Sequence, residues 1–412
     1  MKTPFFLALM VCCVIQTTYT VAGPRSSKFD FTGPRDPSLI RGCNYSPAND
    51  FTPGRHLGLW AHYDSATIAF DLNLARSLNL NQVRVFVPYE AFCEDKNGLA
   101  ASLRHFVREC TRRGIGVMPV VGSGGWVNDT TLRFQAREWA RFLVEALSDE
   151  TGLSFWDVMN EPDWPPSPAE LVRRRIDNAR FMARTFCQID PKTPVTIGWA
   201  FVDGMIELAD EVDVLQFHDY MPTRGKIRAT IGRAKECATR VGKPLINGEI
   251  GCIARANPYD VTLEEHMRAH VGWYIWELMI VRGGWGPVHG VFYEDGTVRD
   301  PSIAAAIMGW FRKRSADIVP TSPDREGWVS KTVDSATAWL NNPKKTWTNG
   351  LDIAETCANI LEAAEITSMR TLPTWEVYRL REGSENSDAL AELLDRFTKL
   401  LAPYRIPQSQ WQ

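Results

Sequence analysis

Two glutamates each close a short apolar run: Glu161 in Trp156-Asp157-Val158-Met159-Asn160-Glu161-Pro162, and Glu249 in Ile246-Asn247-Gly248-Glu249. A carboxyl group in such a position is costly to bury unless it is paired or performs chemistry. Taken together they form a hydrolase-like pair. Cleaving a glycosidic bond requires one carboxylic acid to protonate the leaving oxygen and one carboxylate to stabilise or attack the anomeric carbon, about 5 Å apart when configuration is retained. Alone, either one, or Glu277, could equally be a structural ion-pair partner.

Other polar residues share this setting: Arg84 in Val83-Arg84-Val85-Phe86, the segment Gln216-Phe217-His218-Asp219-Tyr220, and Trp273-Tyr274-Ile275-Trp276-Glu277. Arg84 beside Glu249 would keep that carboxylate an anion, while Glu161, in a less cationic setting, would keep its proton. His218 and Tyr220, two residues apart, would share one strand face, as site-lining groups or as a buried hydrogen-bonded pair. Alternation turns Glu277 away from the Trp276 face, toward a neighbouring helix.

These residues need a scaffold that gathers strand ends. Eight runs rich in branched and aromatic residues, at 39–44, 82–87, 115–121, 155–160, 195–200, 212–218, 244–249 and 272–277, read as strands. The stretches between them read as helices. Leu103, Phe106, Val107 and Cys110 recur at helical spacing before Gly114; Ile227, Ile231, Ala234, Ala238 and Val241 repeat the design before Gly242. Eight βα units within residues 36–315 match the ~250 residues of an α/β (β/α)8 TIM barrel, whose strand C-termini build the site. The GxGxxG turn expected early in a doubly wound dinucleotide-binding sheet does not occur in the sequence.

At the N-terminus, Lys2 and the apolar run from Phe5 to Ile15 predict a signal peptide over 1–22, cleaved near Ala22, and hence a secreted protein, or a periplasmic one in a bacterium. The run is shorter than the ~20 residues that cross a bilayer, so no membrane partner is expected after cleavage. Residues 23–35 form a leader, 316–325 a linker and 326–412 a helical extension with helices near 328–340, 351–366 and 389–401. In that extension Trp328, Trp339, Trp347 and Trp375 could form a sugar-binding face, although packing is the commoner use of such aromatics. A net charge of −3 on 412 residues, with no basic stripe, argues against nucleic acid as partner. Seven cysteines follow the signal segment without zinc-like spacing; one or two disulfides are expected, with at least one free thiol. Of the sequons at Asn44 and Asn128, the latter is the better acceptor, because a glycan on Asn44 would stand at the barrel mouth.

The set Asn160-Glu161-Pro162, His218-x-Tyr220, Glu249 ending strand seven and Trp276 on strand eight resembles the clan of retaining glycosidases that includes the family 5 cellulases and mannanases. The resemblance covers roughly residues 36–315, and Gly290 to Thr297 is similar to the segment that follows strand eight in such barrels. It implies hydrolysis of β-linked poly- or oligosaccharide through a covalent glycosyl-enzyme, without metal or cofactor. Glu161 would be the acid/base and Glu249 the nucleophile. Asn160 would bind the sugar 2-hydroxyl, Arg84 and Tyr220 would hold Glu249, His218 would flank Glu161, and Trp276 would stack under the sugar. Many family members carry a histidine near the end of strand three, where this chain reads Val120-Val121-Gly122-Ser123-Gly124-Gly125-Trp126. Asn44, Tyr45, Asn49, Trp60, Trp126, Trp164 and Trp285 fall in loops that commonly build outer sugar subsites or simply pack. Two alternatives stay open on the same barrel: a transglycosylase, and a catalytically silent barrel that binds carbohydrate or another protein. The sugar, the mode of attack and the oligomeric state are not determined by these residues.

Overall fold

The computed structural model of the chain describes residues 36–50, 57–123, 129–164, 167–282, 286–311, 328–363 and 373–405. The expected signal and leader, the linker at 316–325, Trp126, the Asn128 sequon and Trp285 lie outside these residues.

Eight parallel strands, β1 (Arg41–Tyr45), β2 (Gln82–Phe86), β3 (Gly116–Val120), β4 (Trp156–Asn160), β5 (Val195–Trp199), β6 (Leu215–Asp219), β7 (Leu245–Ile250) and β8 (Gly272–Ile275), close into a barrel in sequence order. Around them lie α1 (Gly58–Ala61), α2 (Ser65–Ser77), α3 (Tyr89–Glu94), α4 (Lys96–Arg112), α5 (Arg133–Leu147), α6 (Ala169–Ile189), α7 (Arg224–Val241), α8 (Tyr259–Arg268) and α9 (Pro301–Ile307). The expected eight strands are all present, but the connection from β5 to β6 has no α-helix. A single 3-10 turn, Val202–Gly204, and a run of turns bury Met205 and Leu208 in its place.

Helix ends follow local chemistry. Asp64 and Asp95 accept hydrogen bonds from the first free N–H groups of α2 and α4, and Gly242 closes α7 at φ +66°, a conformation glycine adopts without a Cβ penalty. Ile40, Met118, Phe155, Val214, Ile246 and Tyr274 fill the barrel's lower end, and the larger apolar core lies between strands and helices. Above that end the barrel interior turns polar, with Arg84, Asp157 and Gln216 fully buried.

Past the barrel, α10 (Trp328–Asn341), α11 (Trp347–Ala363), α12 (Pro373–Glu382) and α13 (Ser387–Leu401) build a second core around Ala336, Leu361, Leu390 and Phe397, with Trp310 from the barrel side packed on it. Three helices were expected here; α12 escapes the apolar pattern because Pro373 and Val377 are its only buried residues. Trp339 is buried and Trp347 half-buried in this core, whereas Trp375 stands exposed on α12, stacked on Tyr378. The expected disulfides are not formed: all seven cysteines beyond the signal segment are free thiols. Cys43 and Cys110 serve as small apolar side chains in the barrel core and Cys357 in the second core. No described helix is long and apolar enough to cross a membrane.

Candidate active site

The polar layer is organised by Arg84, fully buried on β2. Its Nε donates to Asp157 Oδ2 at 2.9 Å, Nη1 to Asn44 Oδ1 at 2.8 Å and to Glu249 Oε1 at 2.6 Å, and Nη2 to Asn160 Oδ1 at 2.7 Å. A buried guanidinium is tolerable because its N–H groups are spent on two carboxylates and two amides. Asn44 is fixed in turn, its Nδ2 donating to Gly248 O and Ile275 O. Asp157 also accepts from Gln216 Nε2 at 2.8 Å.

Glu249 is held from both sides. Arg84 donates to Oε1 and the Tyr220 hydroxyl donates to Oε2 at 2.8 Å. It reaches the mouth because β7 breaks its alternation. The β7–β8 register shifts between Asn247 and Ile250, so Asn247 faces outward to His266 on α8 while Glu249 faces in. Such an irregularity re-aims a side chain.

Glu161 follows β4 at φ +48°, a left-handed conformation that costs a non-glycine residue about 1 kcal/mol or more. It is held there by its own N–H to Gly198 O at 2.6 Å and by Asn160 N–H to Gly122 O at 2.9 Å. Its Oε1 lies 2.7 Å from His218 Nδ1, which is 3.5 Å from Glu249 Oε2. An oxygen of Glu161 and an oxygen of Glu249 come within 4.8 Å of each other.

Burial pushes the Glu161 carboxyl above its ordinary range, and the charges of Arg84 and Arg255 pull part of the way back. Burial outweighs the two arginines, neither of which forms an ion pair with Glu161 as Arg84 does with Glu249. Burial also lowers His218 to about 4, so its imidazole is neutral near pH 7. Glu161, His218 and Glu249 offer three donor atoms that could hold a metal ion. Arg84, 2.6 Å from Glu249, already supplies the positive charge there and would repel a second cation.

All seven expected core residues converge. Trp276 is half-buried at the end of β8, edge-on to Phe86 and His289. Some outer-subsite expectations fail. Trp60 is buried against Phe106 and Tyr63, its indole N–H donating to Phe86 O at 2.7 Å. Tyr45 is buried and donates to Asp71, and Asn44 belongs beneath the site rather than at its rim. Asn49 stays exposed on the mouth face, and Trp164 stacks on Phe201 at the mouth. Glu277 lies near enough to Tyr259, the first residue of α8, for its charge to be felt there. β8 ends at Ile275 and the Trp276–Glu277 peptide bond is cis; the Glu277 carboxyl is buried, well above the usual carboxylate range, and feels the charges of Asp50 and Glu249.

The sequence reading missed Asp157, Gln216 and Arg255. Asp157 and Gln216 are polar residues inside apolar strand runs, a signal that was present at the same spacing as Arg84. Arg255, in the single turn Ile253–Arg255 after β7, had none.

No protein-family model matches the chain, and no curated protein matches it in sequence. Solved structures do match in fold: the closed eight-strand barrel is shared with glycoside hydrolases. An exo-β-1,4-mannosidase from Opitutaceae bacterium strain TAV5 superposes with a TM-score of 0.53 at 19% identity, over 65% of this chain and 58% of that one. A GH5_18 structure from Streptomyces cattleya, in complex with Manb1-4GlcNAc, gives 0.54 at 18% identity over 67% and 81%. Another GH5_18, from Bifidobacterium longum subsp. infantis, gives 0.54 at 17% identity over 67% and 80%. At these identities the likeness is one of fold.

Proposed function

We propose that this protein is a retaining β-glycoside hydrolase, acting through Glu161 as acid/base and Glu249 as nucleophile. The observation that carries the reading is the carboxyl pair itself: oxygens within 4.8 Å across the barrel mouth, in unlike surroundings. That spacing suits direct attack by one carboxylate and leaves no room for the water an inverting enzyme places between them. In the first step Glu249 attacks the anomeric carbon while Glu161 gives its proton to the glycosidic oxygen, and the aglycone leaves as an alcohol. In the second, Glu161 takes a proton from water, which attacks the glycosyl-ester and releases Glu249 and a sugar of retained configuration. Asn160, its Oδ1 spent on Arg84, keeps its amide N–H groups for a sugar hydroxyl. Trp276 offers its ring to the sugar face. The structures this fold resembles, a β-mannosidase and proteins bound to Manb1-4GlcNAc among them, support a β-linked carbohydrate as substrate.

The test is a panel of aryl β-glycosides. Glu249→Gly should lose at least about 1000-fold in kcat, and added azide should restore turnover as the glycosyl azide of inverted configuration. Glu161→Ala should keep activity on activated aryl leaving groups, lose it on poor ones, and give the azide of retained configuration. Full activity in Glu249→Gly without azide would remove Glu249 from the nucleophile role.

A further inference from the structure

Arg255 is a cation at the barrel mouth to which no anion is assigned. Its Cζ lies 4.6 Å from the centre of the Tyr220 ring and 4.9 Å from that of Trp164. Both residues are linked to the candidate catalytic pair. The Tyr220 hydroxyl donates to the Glu249 carboxylate, and the Trp164 backbone N–H donates to the Glu161 backbone carbonyl at 3.1 Å. Trp164 is backed in turn by Phe201, with ring planes 9° apart. Three loops, after β4, β6 and β7, therefore converge to seat one guanidinium. The residue is exposed, and among the described residues no carboxylate forms an ion pair with it. Glu161 is engaged by His218, and Asp163 accepts from the N–H groups of Ala200 and Phe201.

This seating has physical consequences. Two aromatic faces hold the guanidinium by cation–π attraction and restrict its rotamers, so less entropy is lost when its N–H groups bind a partner. A planar fork presented this way matches a carboxylate or sulfate. The charge also offsets a repulsion. Arg84 is neutralised from below by Asp157 and Glu249, so an anionic substrate would otherwise meet only the carboxylates of the pair. Arg255 rests on Trp164, three residues past Glu161, the carboxyl that would protonate the leaving oxygen, so its charge stands on the Glu161 side of the pair.

Resting on the reading of the pair as a glycosidase, we propose that Arg255 is the anchor for an anionic group on the leaving-group side of the scissile bond. The preferred substrate is then an acidic β-linked glycoside. Arg255 is a specificity determinant here and takes no part in bond cleavage.

The probes are 4-carboxyphenyl, 4-sulfophenyl and 4-carbamoylphenyl β-glycosides of glucose and mannose, the last being the neutral isostere of the first. Equilibrium binding is measured by titration calorimetry on the full chain alongside turnover, for wild type, Arg255→Met and Arg255→Lys. Wild type should bind the anionic probes about 10- to 100-fold more tightly than the neutral one, the range of a hydrogen-bonded charge pair. Arg255→Met should abolish that preference, read as the ratio of anionic to neutral probe affinity within each protein, and Arg255→Lys should retain part of it. The carboxylate and sulfonate arms tell which acid the site favours. The preference should also shrink as salt rises. Equal binding of all three probes by wild type, or an anion preference that survives in Arg255→Met, would overturn the proposal. Turnover without preference would leave the glycosidase reading standing and sink this one; preference without turnover would sink the glycosidase reading and leave Arg255 an anion anchor with no scissile bond to place it against.

Discussion

Glu161 and Glu249 are the same side chain placed in two surroundings, and that difference makes a pair of like groups usable. Glu249 accepts from Arg84 and Tyr220, both suited to an anion; Glu161 is buried beside a neutral imidazole and held above its ordinary range. The sign of the pH dependence follows. The acid form of Glu161 is required for leaving-group protonation, so kcat/KM on substrates with poor leaving groups falls as pH rises through its raised pKa. Arg255 is one of the two charges lowering that pKa. Arg255→Met should therefore move the alkaline limb of kcat/KM to higher pH, and Arg255→Lys should leave it near its wild-type place. An alkaline limb unmoved in Arg255→Met would mean that the charge is not felt at the carboxyl.

At the scale of elements, β5 carries no candidate catalytic side chain, yet it makes the site possible. A Cβ on Gly198 would lie 2.6 Å from Gln216 Nε2, 2.9 Å from His218 Nε2 and 3.1 Å from Arg84 Nη2, so the absent side chain leaves the space these three groups occupy. Gly198→Ala should displace His218 and Gln216 while the barrel still closes. A displacement near 1 Å at a site of this kind costs on the order of 100-fold, and kcat should carry most of the loss with the circular dichroism spectrum unchanged. Wild-type kcat in that variant would show that the positions of His218 and Gln216 do not matter. Gly122 is similar at the β3 end, where a Cβ would meet Val158 O at 2.2 Å, so the chain there can pass close to β4 only as glycine.

Among the described residues, the helical extension fills an apolar core of its own, distinct from those of the barrel. Leu394, fully buried among Leu390, Phe397 and Leu361 in the helical extension, has no part in the barrel core. Leu394→Ala should destabilise the extension by about 2–5 kcal/mol, read as an earlier thermal transition, while kcat/KM on small aryl β-glycosides stays at the wild-type value. A parallel loss of activity would show that the extension supports the barrel mouth.

Much of this molecule is written locally. Apolar runs of strand length, helical spacing between them and glycine stops determine eight strands and most helices, because each depends on neighbours within a few residues. Polar residues interrupting those runs marked Glu161, Glu249, Arg84, His218 and Tyr220, since a buried charge needs a reason wherever it sits. What alternation alone could not supply was direction. The register shift in β7 turns Glu249 inward and Asn247 outward, and the end of β8 at Ile275 takes Glu277 out of the strand pattern. Nor could the sequence show that Trp60 is core, that Asn44 serves Arg84, or that Arg255 meets Trp164 and Tyr220. Those contacts join residues from about 26 to about 90 positions apart in the chain. Only closure of the barrel brings them within a few ångströms, and the energetics of a charge depend on which neighbours closure provides.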